Sequence, residues 1–187
     1  YGVAGERIHV IYNSVDQQRY NISVKDRIRK EIRDRYSIGK QDTLIFFVGN
    51  GFQLKGLPVL LEALAGLGNP QIRLMVAGND PIAPYCQWTE QHGLGNATIF
   101  LGYQKNLEHF YGAADLFVLP TQYDPFANVC LEAMACGTPV ITTRMNGVAE
   151  IIENGYDGYV LNARAPQELA ARILDYIGLS DKTTIMT

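Results

Sequence analysis

The apolar positions of this chain fall into short runs of two kinds, one compact and β-branched or aromatic, the other spread at helical spacing. Seven runs read as strands: Arg7–Ile11, Thr43–Val48, Ile72–Ala77, Ala97–Leu101, Leu116–Leu119, Thr138–Thr142 and Gly158–Leu161. Leu44–Val48 and Leu116–Leu119 are apolar on consecutive residues, the pattern of strands covered on both faces. Between them, Gly56–Leu67 carries Leu57, Leu60, Leu61 and Leu64 at helical spacing; Pro84–His92, Asn106–Ala114, Asn128–Cys136, Val148–Glu153 and Pro166–Ile177 fill the other gaps. Val24, Ile28, Ile32 and Tyr36 form an i, i+4 stripe within Arg19–Lys40, a segment with eight basic residues against Asp26, Glu31 and Asp34. That stripe predicts an amphipathic helix with a basic, solvated face; contact with an anionic membrane surface is the other reading. Strands alternating with helices through short connections imply βαβ units with right-handed crossovers. The predicted fold is α/β, a doubly wound, Rossmann-like parallel sheet, with residues 1–187 as one domain.

Composition narrows the functional classes. The chain has 187 residues, 47% hydrophobic and 19% charged, an ordinary globular balance. Its net charge of −3 lacks the basic footprint that drives non-specific nucleic-acid binding, so DNA and RNA are poor candidates. Cys86, Cys130 and Cys136 are odd in number and form no CxxC, which fits a reducing compartment. No run of about 18 apolar residues is long enough to span a membrane. The first residue is Tyr1 and Tyr1–Arg7 shows no signal-peptide pattern, so the chain reads as a piece of a longer protein.

In an open parallel sheet, ligands sit outside the carboxyl ends of the strands, where loops lead into helices. Three such loops stand out: Gly49–Gly56, Gly78–Pro81 and Pro120–Asn128. The first fails as a dinucleotide fingerprint, because Leu54 stands where a third Gly belongs, and as a Walker A loop, because Leu57 follows Gly56 where Lys is required. What remains is a glycine turn, Gly49-Asn50-Gly51, whose backbone can approach a ligand, with Lys55 just before a helix. Lys55 is either a charge held near an anion or a solvated first-turn lysine.

Asp124–Gly137 (DPFANVCLEAMACG) carries most information. From Val129 to Cys136 every residue except Glu132 is apolar or small, which predicts a helix buried nearly all round. A lone carboxylate there requires partners: a structural donor, or the hydroxyls of a bound ribose. Asp124 before Pro125 reads as a helix N-cap or as a second functional carboxylate about two turns from Glu132. Between the two, amides around Phe126, Ala127, Asn128 and Val129 would face the same cleft and suit a phosphate.

With these residues in view, the sequence resembles the C-terminal, nucleotide-sugar-binding domain of the family 4, or group 1, retaining glycosyltransferases, whose GT-B fold pairs two Rossmann-like domains. The resemblance runs in order through Asn13-Ser-Val-Asp16, Phe47-Val-Gly49 to Lys55-Gly56, Val76-Ala-Gly78, Gly102-Tyr103, Ala114-Asp115-Leu116, the E-x7-E region as Asp124 and Glu132, Gly137-Thr-Pro139, Asn146-Gly147 to Glu150, and Gly155-Tyr-Asp-Gly158. Tyr123-Asp-Pro-Phe and the Gly49 loop are most similar to bacterial lipopolysaccharide-core and cell-surface polysaccharide members.

The resemblance implies that Glu132 holds the ribose hydroxyls, Asp124 contacts the donor sugar, and Lys55 neutralises the leaving diphosphate. It implies that Gly49, Asn50, Gly51 and Gly78 approach the donor, Tyr103 borders the base, and amides of Phe126, Ala127, Asn128 and Val129 bind the diphosphate and sugar. Two positions depart from the family: Asp replaces the usual Glu at 124, and Asn50 and Leu54 stand where an Arg normally accompanies the Lys. The implied reaction is hexosyl transfer with retention from a nucleoside diphosphate sugar, UDP ahead of GDP, to an acceptor hydroxyl. The acceptor, a saccharide or glycolipid, would be met through a missing N-terminal domain, without which this half would bind and not catalyse. The setting implied is cytoplasmic, at the inner membrane face. No DxD and no metal-spaced His/Cys/Asp cluster occurs, so no metal and no cofactor is expected. A nucleotide-sugar-binding module without catalytic activity and a GT-B nucleotide-sugar epimerase are the alternatives. His9, His92 and His109 are scattered and no GxSxG occurs, which leaves a hydrolase triad unsupported.

Overall fold

The computed structural model describes residue 7, residues 9–162 and residues 164–178. Six parallel strands, β1 (Thr43–Val48), β2 (Ile72–Ala77), β3 (Thr98–Gly102), β4 (Leu116–Leu119), β5 (Val140–Thr143) and β6 (Gly158–Leu161), lie in the order β3-β2-β1-β4-β5-β6. Helices α1 (Ser23–Arg35), α2 (Phe52–Lys55), α3 (Leu57–Leu67), α4 (Ala83–Gln91), α5 (Leu107–Ala113), α6 (Asn128–Ala135) and α7 (Pro166–Gly178) connect and flank them. All residues of β1 and β4 are buried, as consecutive apolar residues require. Strand order reverses between β1 and β4, and a crevice opens there at the carboxyl ends.

Several boundaries differ from expectation. The described residues of the Arg7–Ile11 run join no strand: Val10 and Ile11 are 71% and 90% exposed, and no sheet edge receives them. The Thr138–Thr142 run becomes Val140–Thr143, because Pro139 has no N–H for the ladder. Val148–Glu153 is a 3-10 turn, Gly147–Ile151, and not an α-helix.

The basic face of α1 is only partly solvated. Arg33 is buried; its guanidinium meets the Asp115 carboxylate at 3.1 Å and donates to the carbonyls of Gly39 and Asp42. Arg29 pairs with the other Asp115 oxygen at 2.5 Å and donates to the carbonyls of Ala113 and Ala114, capping the end of α5. Lys25 donates to the Gly137 carbonyl. Charges of this kind tolerate burial because carboxylate and carbonyl oxygens replace their water. The cluster fastens α1 below the sheet, at the end opposite the crevice, where the Leu44 amide also donates to Asp115.

Helix α6 is likewise less enclosed than its composition predicts. Only Cys130 and Ala133 are buried; Val129, Leu131, Met134 and Ala135 are half-buried.

Candidate functional site

The crevice holds a cavity of about 430 Å³ built from four successive loops. Val48, Gly49, Asn50 and Lys55 come from the end of β1 and the turn after it, Gly78 from the end of β2, and Tyr103, Gln104 and Leu107 from the segment after β3. Asp124, Phe126, Ala127, Asn128 and Val129 enter from β4 and the first turn of α6. Gly51 and Glu132 lie outside this lining.

Two glycines make the close packing of loops possible. At Gly56 (φ 88°) a Cβ would stand 2.1 Å from the Pro120 carbonyl oxygen, and this contact sets the β1 loop directly against the β4 loop. At Gly78 (φ 152°) a Cβ would stand 2.1 Å from the Gly49 carbonyl oxygen. Neither clash can relax, because the obstacle is backbone.

Lys55 and Asp124 are bonded to each other. Lys55 Nζ lies 2.5 Å from Asp124 Oδ2, and both side chains are largely buried at 22% and 12% exposure. Asp124 Oδ1 accepts from the Phe126 amide at 3.1 Å. The carboxylate therefore closes a tight turn and holds the lysine, and it is not the N-cap of α6. That cap is Ala127, without a side-chain bond, so Asp124 and Glu132 do not share one helix.

The backbone amides of the site divide into occupied and open sets. Phe126 N–H donates to Asp124 and Ala127 N–H to Asn146 Oδ1. Asn128 and Val129, the first two residues of α6, have amides with no acceptor among the described residues. The same division holds in the Gly49 loop. Asp80 accepts from the amides of Gly51 at 2.7 Å and Phe52 at 2.6 Å, so the start of α2 already carries a carboxylate, whereas the Asn50 amide has no acceptor among the described residues. An anion entering the cavity would find the amides of Asn50, Asn128 and Val129 and the ammonium of Lys55.

Residues to which the sequence reading gave no site role hold this arrangement. Buried Asn146 accepts from the Ala127 and Val148 amides and donates to Thr142 Oγ1 at 3.0 Å. Thr142 and Thr143 donate in turn to the carbonyls of Leu119 and Thr121, tying β5 to the β4 loop. Tyr12 stacks on Phe126 at 5.6 Å and donates to Glu150, while Asn13 donates to Asn128 Oδ1. The Asn146-Gly147 pair and the Asn-Asp-Pro turn were the available signals for Asn146 and Asp80.

Glu132 sits one turn beyond the cavity on α6. Its Oε2 accepts from the Tyr111 hydroxyl at 2.9 Å, and burial lifts its pKa above the ordinary glutamate value. The Tyr111 hydroxyl is pushed far up by complete burial and by the neighbouring carboxylate. Burial also raises the Cys130 thiol well above its usual range, which keeps it an unreactive thiol packed under the site. Among the described residues no group of three or more His, Cys, Asp or Glu is placed to hold a metal ion.

The sheet order and the crevice at its switch point define a Rossmann-like domain of the type found in GT-B glycosyltransferases. Residues 28–186 match the family of group 1 glycosyl transferases, and the chain belongs to that family. An uncharacterised glycosyltransferase of Methanocaldococcus jannaschii is 33% identical over 171 residues, covering 88% of this chain and 43% of that protein. The N-acetyl-alpha-D-glucosaminyl L-malate synthase of Bacillus anthracis is 28% identical over 155 residues, covering 82% of this chain and 40% of that protein. Among solved structures, Anabaena HepE in complex with UDP and glucose superposes with a TM-score of 0.85 at 28% identity, over 100% of this chain and 52% of HepE. WaaG, a glycosyltransferase involved in lipopolysaccharide biosynthesis, gives a TM-score of 0.85 at 25% identity, over 100% of this chain and 51% of its own. The chain thus spans about half the length of the proteins it resembles. Among the described residues no helix is long and apolar enough to cross a membrane.

Proposed function

We propose that this chain is the donor-binding half of a retaining hexosyltransferase that uses a nucleoside diphosphate sugar, UDP-linked in preference to GDP-linked, in the synthesis of lipopolysaccharide or another cell-surface polysaccharide. One observation carries the reading: the cavity at the switch point is lined by Lys55 and by residues Asn50, Asn128 and Val129, whose amides have no acceptor among the described residues, a set of positive groups that suits a diphosphate. The superposed HepE structure, which contains UDP and glucose, supports a donor of this kind.

In this reading the diphosphate lies against α6 and Lys55, the sugar lies toward Asp124, and the base runs toward Tyr103 and Gln104. Glu132 accepts the ribose hydroxyl protons from one turn along α6. The chemistry asked of this half is orientation of the donor and stabilisation of the charge that develops on the departing diphosphate. The second domain of the longer protein holds the saccharide or glycolipid acceptor whose hydroxyl takes the sugar, so this half alone binds and does not turn over. The protein works in the cytoplasm, at the inner face of the membrane where such acceptors are assembled. Neither a metal nor a cofactor enters the reading.

Calorimetric titration with UDP, GDP, ADP and their sugars tests it. Binding of UDP in the micromolar to millimolar range, weakened by about 1–3 kcal/mol in Glu132→Ala, is the expected result. Absence of binding by all of them at millimolar concentration overturns the donor reading. Turnover by the full-length protein separates a transferase from a binding module.

A further inference from the structure

We infer that Tyr111 is a positioning residue for the donor site: its buried hydroxyl orients the Glu132 carboxylate, leaving the second oxygen of that carboxylate to take the nucleotide. The inference rests on the assignment of Glu132 to the ribose in the proposed function and adds a residue that assignment does not contain.

The geometry is that of two facing helices. Leu107 on α5 and Val129 on α6 both line the cavity. One turn further along each helix stand Tyr111 and Glu132, and the phenol donates to Glu132 Oε2 at 2.9 Å. Helical side chains lean toward the amino end of their helix, so Glu132 covers the turn that contains Asn128 and Val129. Oε1 accepts no hydrogen bond among the described residues.

Tyr111 has no freedom to do anything else. Its ring is fully buried, packed edge-on against Phe46 at 5.3 Å, Phe117 at 5.5 Å and Tyr20 at 6.1 Å. Its carbonyl accepts from Thr138 Oγ1 at 2.7 Å, which fixes the backbone as well. A phenol this deeply buried requires a partner, and Glu132 is the one it has. The carboxylate in turn gains a donor aimed by a rigid aromatic cluster, so its rotamer is set before any ligand arrives.

The groups facing Glu132 are Tyr111 and Glu108 from α5, Arg19 and Tyr20 from the segment ahead of α1, and Cys130 and Cys136 from its own chain segment. Of these, Tyr111 and Arg19 favour the ionised carboxylate, while burial and Glu108 oppose it. Removing the phenol therefore makes Glu132 harder to ionise as well as less well aimed.

The test is UDP titration of the wild-type chain, Tyr111→Phe, Glu132→Gln and the double variant, each across pH 4.5 to 8, with thermal unfolding as a control. Tyr111→Phe is expected to weaken UDP binding about tenfold at neutral pH and to move the acid limb of the affinity profile to higher pH. The double variant is expected to bind no more weakly than Glu132→Gln alone, since both changes remove one linked function. Should Tyr111→Phe not fold, Glu132→Asp, which withdraws the carboxylate from the phenol by one methylene, is expected to show the same loss and the same coupling to pH. If Glu132→Gln binds UDP as wild type does, the ribose assignment falls and the role of Tyr111 falls with it. If Glu132→Gln weakens binding while Tyr111→Phe changes neither affinity nor the acid limb, the ribose assignment stands and the inference about Tyr111 is overturned.

Discussion

Lys55 and Asp124, from loops 69 residues apart, meet at 2.5 Å across the switch point of the sheet. Both groups belong to the cavity, and each neutralises the other. In the proposed function, a nucleoside diphosphate entering there would compete with Asp124 for the lysine ammonium. On that reading, donor binding and rearrangement of this ion pair would be one event, in which the lysine exchanges a carboxylate for a phosphate and the carboxylate is freed toward the sugar.

Substitutions of the two partners should consequently affect donor affinity differently. Lys55→Ala is expected to weaken UDP binding by about 1–3 kcal/mol, the worth of a charge-assisted contact to phosphate. Asp124→Asn removes the competing charge and is expected to leave UDP affinity unchanged or tighten it by up to about 1 kcal/mol, while abolishing turnover of the sugar donor in the full-length enzyme. Calorimetry on both variants decides. Equal weakening by both would show that the pair serves only to shape the loop.

The sequence revealed the sheet well because β4 and residues Leu44–Val48 of β1 are apolar on consecutive positions, a pattern that only a doubly covered strand sustains. It misled over the described residues of Arg7–Ile11, where β-branched residues carry strand propensity but nothing local reports whether a sheet edge is available. Asp-Pro at 124–125 suggested a cap because capping is a local pattern; the partner that redirects Asp124, Lys55, is remote in sequence. Asp80 escaped notice for the same reason, since the amides it holds lie 28 and 29 residues upstream. Apolar composition also overstated the enclosure of α6, because composition cannot tell whether a neighbouring element covers each face.

Asp80 fastens the β2 loop to the start of α2, and its removal should loosen the Gly49 turn. Asp80→Ala leaves the Gly51 and Phe52 amides without their charged acceptor and is expected to destabilise the domain by about 1–3 kcal/mol; Asp80→Asn, which keeps an acceptor oxygen, is expected to cost less. Urea unfolding gives the free energies. Amide hydrogen exchange should accelerate at Gly51 and Phe52 ahead of the sheet, and unchanged protection there would refute the assignment.

At the opposite end of the sheet, Asp115 balances Arg29 and Arg33 while accepting from the Leu44 amide. Asp115→Ala strands a buried guanidinium and is expected to cost about 3–5 kcal/mol, without changing the geometry of the distant cavity. A shift in urea midpoint at unaltered slope checks this, together with UDP affinity measured well below the new melting temperature. Loss of affinity in a folded variant would contradict the separation of the two ends.

Glu132 should make the domain less stable as the solution becomes more alkaline. Burial raises its pKa in the folded state above the ordinary glutamate value, so the folded chain binds this proton more tightly than the unfolded chain does. Below the unfolded glutamate pKa both states are protonated and the contribution is fully present. As pH rises through the higher folded value, the contribution is lost, because ionisation must then occur in a poorly solvated place. Glu132→Gln keeps an oxygen that can accept from Tyr111 and removes the ionisation. The variant is therefore expected to gain stability over wild type at pH 7 and to match it near pH 4, as read from urea unfolding at both pH values. A carboxylate that destabilises its own fold at neutral pH, yet is held by a rigid phenol, has the character of a group kept for binding. Equal stability of the two proteins at pH 7 would show that Glu132 is solvated well enough to ionise freely and would remove this argument for its role.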